Sequence, residues 1–135
     1  MKQNGFTLLE LCVVVAIIGI LATLALANYA VFKVTAFNAT AASDCRNIMP
    51  AAELASTTGK TLNIPLDGLG AGPIDTVNLP GASSSPGTIG TVTVCGTCIP
   101  PSYQVVTSNL RGDLCYSVTN GGPMQITTLV GGVCT

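Results

Sequence analysis

The feature that most constrains this chain is an apolar run from Leu11 to Ala27 with one carboxylate, Glu10, at its leading edge. With its flanks the run is long enough to cross a bilayer, where a helix needs roughly 20 mostly apolar residues. A secretory signal peptide explains it poorly. Such a peptide has a positive start, an apolar core of about 7 to 15 residues and a small-residue cleavage site after that core. Here Lys2 supplies the charge, but the small residue, Gly5, precedes the core. Cutting there leaves the apolar segment on the mature protein. A plain anchor explains it no better, because burying an ionisable side chain in hydrocarbon is costly and marks a functional candidate. The simpler alternative for Glu10 is snorkelling to the headgroups near the helix end.

Residues Gly5-Phe6-Thr7-Leu8-Leu9-Glu10, followed by the long apolar helix, resemble the amino-terminal signature of type IV pilins and of the related pseudopilins of type II secretion. The resemblance is close through Ala55 and only architectural beyond it. It implies a leader over residues 1–5, removed by a prepilin peptidase that cuts between Gly5 and Phe6 and methylates the new amino group of Phe6. It implies that Glu10 pairs with the Phe6 amine of a neighbouring subunit during assembly. That pairing makes physical sense, since an opposite charge a few ångströms away offsets much of the cost of a carboxylate in a low-dielectric setting. The implied partners are the membrane before assembly, an inner-membrane assembly platform, and further copies of the chain in a helical homopolymer. The implied locations are the inner membrane for the precursor and then an extracellular pilus filament, or a periplasmic pseudopilus.

Composition points the same way. Charged residues make up 8% of the chain and the net charge is -1, so there is no basic field for nucleic acid. Histidine is absent. That removes Ser/His/Asp and Cys/His nucleophilic centres and histidine-ligated metal or haem sites. The acids Glu53, Asp67, Asp75 and Asp113 are scattered without paired spacing. No catalytic residue, metal or cofactor is expected, and the chain reads as a structural protein rather than an enzyme.

After the apolar run the helical period continues. Val34, Phe37, Ala41, Cys45, Ile48, Ala52 and Ala55 follow steps of three or four, the spacing of one helix face. Asn38, Thr40, Asp44, Asn47 and Glu53 fall largely elsewhere. This predicts one helix over 6–58, with 6–28 as its transmembrane half, ending where Gly59 takes a left-handed cap. Pro50 either bends it near 46–50 or starts a second short helix. Gly19 weakens the membrane half by about 1 kcal/mol relative to Ala. In the resembled family a segment beyond that glycine commonly loses helical order in assembled pili, helped by a downstream proline. Here Ala27 stands at that position, so Gly19 and Ala27 are the residues expected to set helix packing.

The remainder, 59–135, reads as a globular β head. From 62 to 87 it is rich in Gly, Pro and Ser, which predicts a long connecting loop. Ser83 to Ser85 beside Pro86 read as linker ahead of a glycan site, and Asn38-Ala39-Thr40 matches a sequon only formally, since it lies in the helix. Thr88 to Cys95, Tyr103 to Thr107, Leu114 to Thr119 and Gln125 to Val130 are short β-branched runs. Asn120-Gly121-Gly122 is a hairpin signal between the last two. The expected fold is therefore α+β, a long amino-terminal helix packed on a small antiparallel sheet.

Six cysteines place the head in an oxidising compartment, because a small sheet with few aromatics has little core and is commonly cross-linked. Cys12, in the apolar run, behaves as a small apolar residue. Cys115 with Cys134 is the favoured pair, tying the carboxyl-terminal segment to a strand in a loop similar to the carboxyl-terminal disulfide loop of many pilins. Cys95 and Cys98 allow a local bridge or a link from either thiol to Cys45, and one thiol stays unpaired in any intrachain scheme. A redox dithiol lacks a thioredoxin-like context, and a tetrathiolate zinc site would have only one CxxC.

Two alternatives share these features. One is a pseudopilin or minor pilin. The other is an electron-conducting filament, because Phe6, Tyr29, Phe32 and Phe37 resemble the aromatic placements of short pilins proposed to conduct; ordinary core packing of these aromatics is the reading favoured here.

Overall fold

The computed structural model describes residues 5–68, 70 and 72–135, with the side chain of Ala27 excepted. Most of the expected leader, residues 1–4, thus lies outside the described residues. Two compact units are present, one ending at Lys33 and one running Val34–Thr135. A single helix, α1, Leu8–Thr57, contributes to both.

In the first unit α1 carries apolar side chains on every side. Its large hydrophobic residues from Leu8 to Leu26 are between 45% and 80% exposed. A helix apolar all round has no polar face to offer water, and by length and composition this is the one described helix suited to cross a membrane. The backbone is helical through both Gly19 and Ala27. The single polar hydroxyl of the segment, Thr23 Oγ1, donates to the Gly19 carbonyl at 2.9 Å, so its donor is satisfied within the helix.

In the second unit α1 becomes one-sided. Ala41, Cys45, Ile48, Ala52 and Ala55 are buried, with Val34 and Phe37 half-buried at the start of the same stripe. The helix runs through Pro50, which is exposed, to Thr57; neither an early end nor a second short helix occurs. A Schellman cap closes it. Gly59, at φ 78°, lets its N–H reach the Ser56 carbonyl at 3.2 Å while the Lys60 N–H reaches the Ala55 carbonyl at 3.0 Å.

The stripe packs on a six-stranded antiparallel sheet ordered β1-β4-β5-β6-β7-β8. The strands are β1 (Thr61–Asp67), β4 (Thr88–Cys95), β5 (Ser102–Asn109), β6 (Leu114–Thr119), β7 (Gln125–Val130) and β8 (Val133–Cys134), while β2 (Gly72–Asp75) and β3 (Leu79–Ser84) form a separate two-stranded sheet. Register aligns Val92, Val105 and Val118 in one cross-strand row and Val94 with Tyr103 in the next, all buried. Asn120 (φ 51°) and Gly121 (φ 68°) are both left-handed and make a tight turn at the start of the β6–β7 connection, closed by the Gly122 N–H donating to the Thr119 carbonyl at 2.9 Å. In the sheet interior the Cα of Gly90 approaches β5 so closely that a Cβ there would lie 1.9 Å from the Val106 carbonyl oxygen.

The long loop expected over 62–87 is corrected by β1, β2 and β3. In β1, Leu62, Ile64 and Leu66 alternate toward the core while Pro65 is exposed. Because β1 is an edge strand, Pro65 can lack its N–H without breaking a ladder. Two polar residues placed off the buried stripe, Asn38 and Asp44, are also buried. Asp44 accepts hydrogen bonds from Ser85 N (2.8 Å), Ser85 Oγ (2.9 Å) and Thr88 Oγ1 (2.5 Å). Asn38 donates to Asp113 Oδ1 at 2.6 Å and accepts from the Asp113 and Leu114 amides. Ser83, read as linker, instead accepts from Asn47 Nδ2 through its hydroxyl at 2.7 Å.

Candidate functional site: the helix start and the cysteines

The amino-terminal site is built by how α1 begins. Gly5, Phe6 and Thr7 are outside the helix and exposed, with Phe6 78% exposed. The peptide bond between Gly5 and Phe6 therefore lies in irregular backbone. Thr7 is the N-cap: its carbonyl accepts the first backbone bond, from Leu11 N at 3.2 Å, and its Oγ1 accepts the Glu10 N–H at 3.2 Å. Glu10 answers in kind. Its Oε2 accepts both the Thr7 N–H at 3.1 Å and the Thr7 hydroxyl at 2.9 Å. This is a capping box, in which two donors orphaned by the helix start are satisfied reciprocally.

Within its own chain Glu10 is partnered through one oxygen, which holds two donors from Thr7. Thr7 is the residue that the sequence reading passed over. Its signal was present, since Thr7-Leu8-Leu9-Glu10 ahead of an apolar run is the S/T-x-x-E pattern of a capping box. The structure thus brings Phe6, Thr7 and Glu10 together at one helix end. Gly19 stands further along the same unit, and a Cβ placed on it would meet nothing within 4 Å. The side chain of Ala27 lies outside the described residues.

The aromatics do not follow the favoured core-packing reading. Phe6, Tyr29 and Phe32 are exposed, and the Lys33 Nζ sits 5.4 Å from the Tyr29 ring centroid. Phe37 alone is half-buried, with the Arg111 guanidinium 5.6 Å from its ring centroid. The reason is the all-round apolar surface of the first unit, which gives these rings no core within the chain.

The cysteine sites belong to the second unit. Cys115 is bonded to Cys134 and Cys95 to Cys98, with Cα separations of 5.7 and 5.4 Å. The Cys95–Cys98 turn abuts the end of the helix cap, where the Gly96 N–H donates to the Lys60 carbonyl at 2.8 Å. Cys45 keeps its thiol, buried on the stripe of α1 beneath the Tyr116 carbonyl. Burial pushes that thiol up from its ordinary pKa, and burial likewise raises the phenols of Tyr103 and Tyr116. A buried, neutral thiol is a packing group rather than a nucleophile.

Residues 1–26 match the family model described as the prokaryotic N-terminal methylation motif, the type IV prepilin signature. No curated protein and no solved structure matches the chain. The motif indicates a type IV pilin-like or pseudopilin precursor, implies processing by a prepilin peptidase, and points to a structural subunit rather than an enzyme. With the apolar helix start it fits a membrane-anchored precursor.

Proposed function

We propose that this chain is the structural subunit of a type IV pilus-like extracellular filament. The leader is removed between Gly5 and Phe6, the new Phe6 amine is methylated, and the subunits polymerise through the amino-terminal part of α1. The observation that carries the reading is the methylation motif over residues 1–26, set on a helix whose apolar side chains find no cover in their own chain.

Before assembly that surface faces lipid, and afterwards it faces the same surface of neighbouring subunits. Lipid tails are as apolar as Leu and Ile, so apolar burial alone hardly drives the transfer. The Glu10 pairing with the Phe6 amine of a neighbour, close approach at Gly19 and the work of an inner-membrane assembly platform supply the rest. The pair of disulfides suits a head displayed in an oxidising compartment.

Glu10→Ala tests this directly. Filaments, counted by electron microscopy and by shear-fraction immunoblot, are expected to be abolished or strongly reduced while leader cleavage, read by mass spectrometry, continues. Normal filament numbers in that variant would overturn the assembly role.

A further inference from the structure

We infer that Thr7 is a positioning residue for assembly, holding the Glu10 carboxylate by one oxygen so that the other is presented to the incoming amine. The inference rests on the reading just given. Both Thr7 donors converge on Oε2, the backbone N–H at 3.1 Å and the hydroxyl at 2.9 Å. Among the described residues no donor meets Oε1. An ionised carboxylate accepts through both oxygens, with about four lone-pair sites in all, so the box consumes part of its capacity at Oε2 and leaves that of Oε1 for a further donor.

Two consequences follow for assembly. A glutamate side chain has several rotatable bonds, and a free one must give up that freedom when it pairs with a neighbour's amine. Tethered to Thr7, Glu10 has already lost it, so pairing meets a prearranged acceptor. The carboxylate is also partly satisfied while it waits in the membrane, which lowers the cost of keeping it ionised there. Thr7 accordingly acts through Glu10 and needs no contact with the neighbouring subunit. The hydroxyl serves twice, accepting from the Glu10 N–H as a cap and donating to Oε2 as a tether. Serine preserves both roles; valine, equal in shape, preserves neither.

The test reads filament yield in cells and the Glu10 carboxylate in the purified full-length chain returned to lipid vesicles. Glu10 and Glu53 are the only glutamates, so the chain purified from a Glu53→Gln background labelled with 13C-glutamate carries one labelled glutamate carboxylate, that of Glu10, in infrared difference spectra against the unlabelled chain. In that background Thr7→Val is expected to shift the band and to lower filament yield by about tenfold, the order expected for a lost helix-cap hydrogen bond, with leader cleavage unchanged. Thr7→Ser is expected to restore both band and yield. An unshifted band or an unchanged yield in Thr7→Val overturns the inference, and so does a serine variant that restores neither. Glu10→Ala run in parallel separates the two claims. If it assembles normally, the charge pairing itself fails; if it does not assemble while Thr7→Val does, only the role of Thr7 fails.

Discussion

The two units use the same kind of residue in opposite ways. From Leu8 to Leu26, α1 shows its leucines, isoleucines and valines outward on all sides. From Val34 onward the same helix turns small residues inward, Ala41, Cys45, Ala52 and Ala55 around a single large one, Ile48. Small side chains let the helix backbone lie close to the strands, so the sheet's own valines and tyrosines can supply the bulk. The difference shows where each unit finds its partner. The second unit completes its core within one chain, whereas the large apolar side chains of the first find no cover there.

Substitutions of matched chemistry break or sharpen that contrast. Ile48→Ala removes a fully buried side chain and should destabilise the head by about 2–5 kcal/mol. Near-ultraviolet circular dichroism of Tyr103 and Tyr116 during thermal unfolding of the detergent-solubilised chain reads that loss. Ile18→Ala, on the exposed face of the first unit, should leave the same melting curve unmoved and lower filament yield instead. A head melting transition displaced by Ile18→Ala would dissolve the distinction.

Replacing Cys115 and Cys134 together by serine is next in size. The chain-entropy account gives roughly 3 kcal/mol for a loop of this length, and the loss should appear in the head transition without affecting leader cleavage. The smallest effect concerns Asp75, whose carboxyl is held below its ordinary value by the Asn78 backbone and side-chain donors. A depressed folded-state pKa stabilises above the unfolded value, about 3.9, and that contribution is lost as pH falls through the folded value. Asp75→Asn should therefore bring a slight loss at neutral pH that vanishes under acid, visible as converging melting temperatures below about pH 4.

Much of this architecture was legible in the residues, and what escaped has physical causes. β4, β6 and β7 begin and end with their β-branched runs, and Gly59 caps the helix, because these elements depend on local chemistry. β1 hid behind Pro65 and the glycine density around it, since a proline is compatible with a strand only at a sheet edge, and edges are a property of the assembled sheet. Asn38 and Asp44 hid for a related reason. Helical period places a polar residue on a face, but whether that face is covered depends on segments such as 85–88 and 113–114 folding over it. At the amino-terminal end, the motif that singles out Gly5, Phe6 and Glu10 is local in sequence and lies within the matched residues 1–26. Thr7 stands in a pattern just as local, three residues ahead of Glu10, and was missed because the long apolar run drew the helix start to Phe6.

The Cys115–Cys134 bond has a mechanical meaning for any filament that bears load. β7 and β8 lie at one margin of the sheet, and β7 is held to β6 by an antiparallel ladder. A force on the chain's end could open such a ladder one rung at a time, as a zip opens. The sulfur bridge sends that force from Cys134 straight into β6, so the whole of β7 sits inside a closed ring that carries no tension. Pulling on the carboxyl terminus then strains a central strand and a covalent bond, and the weakest edge of the head is left slack.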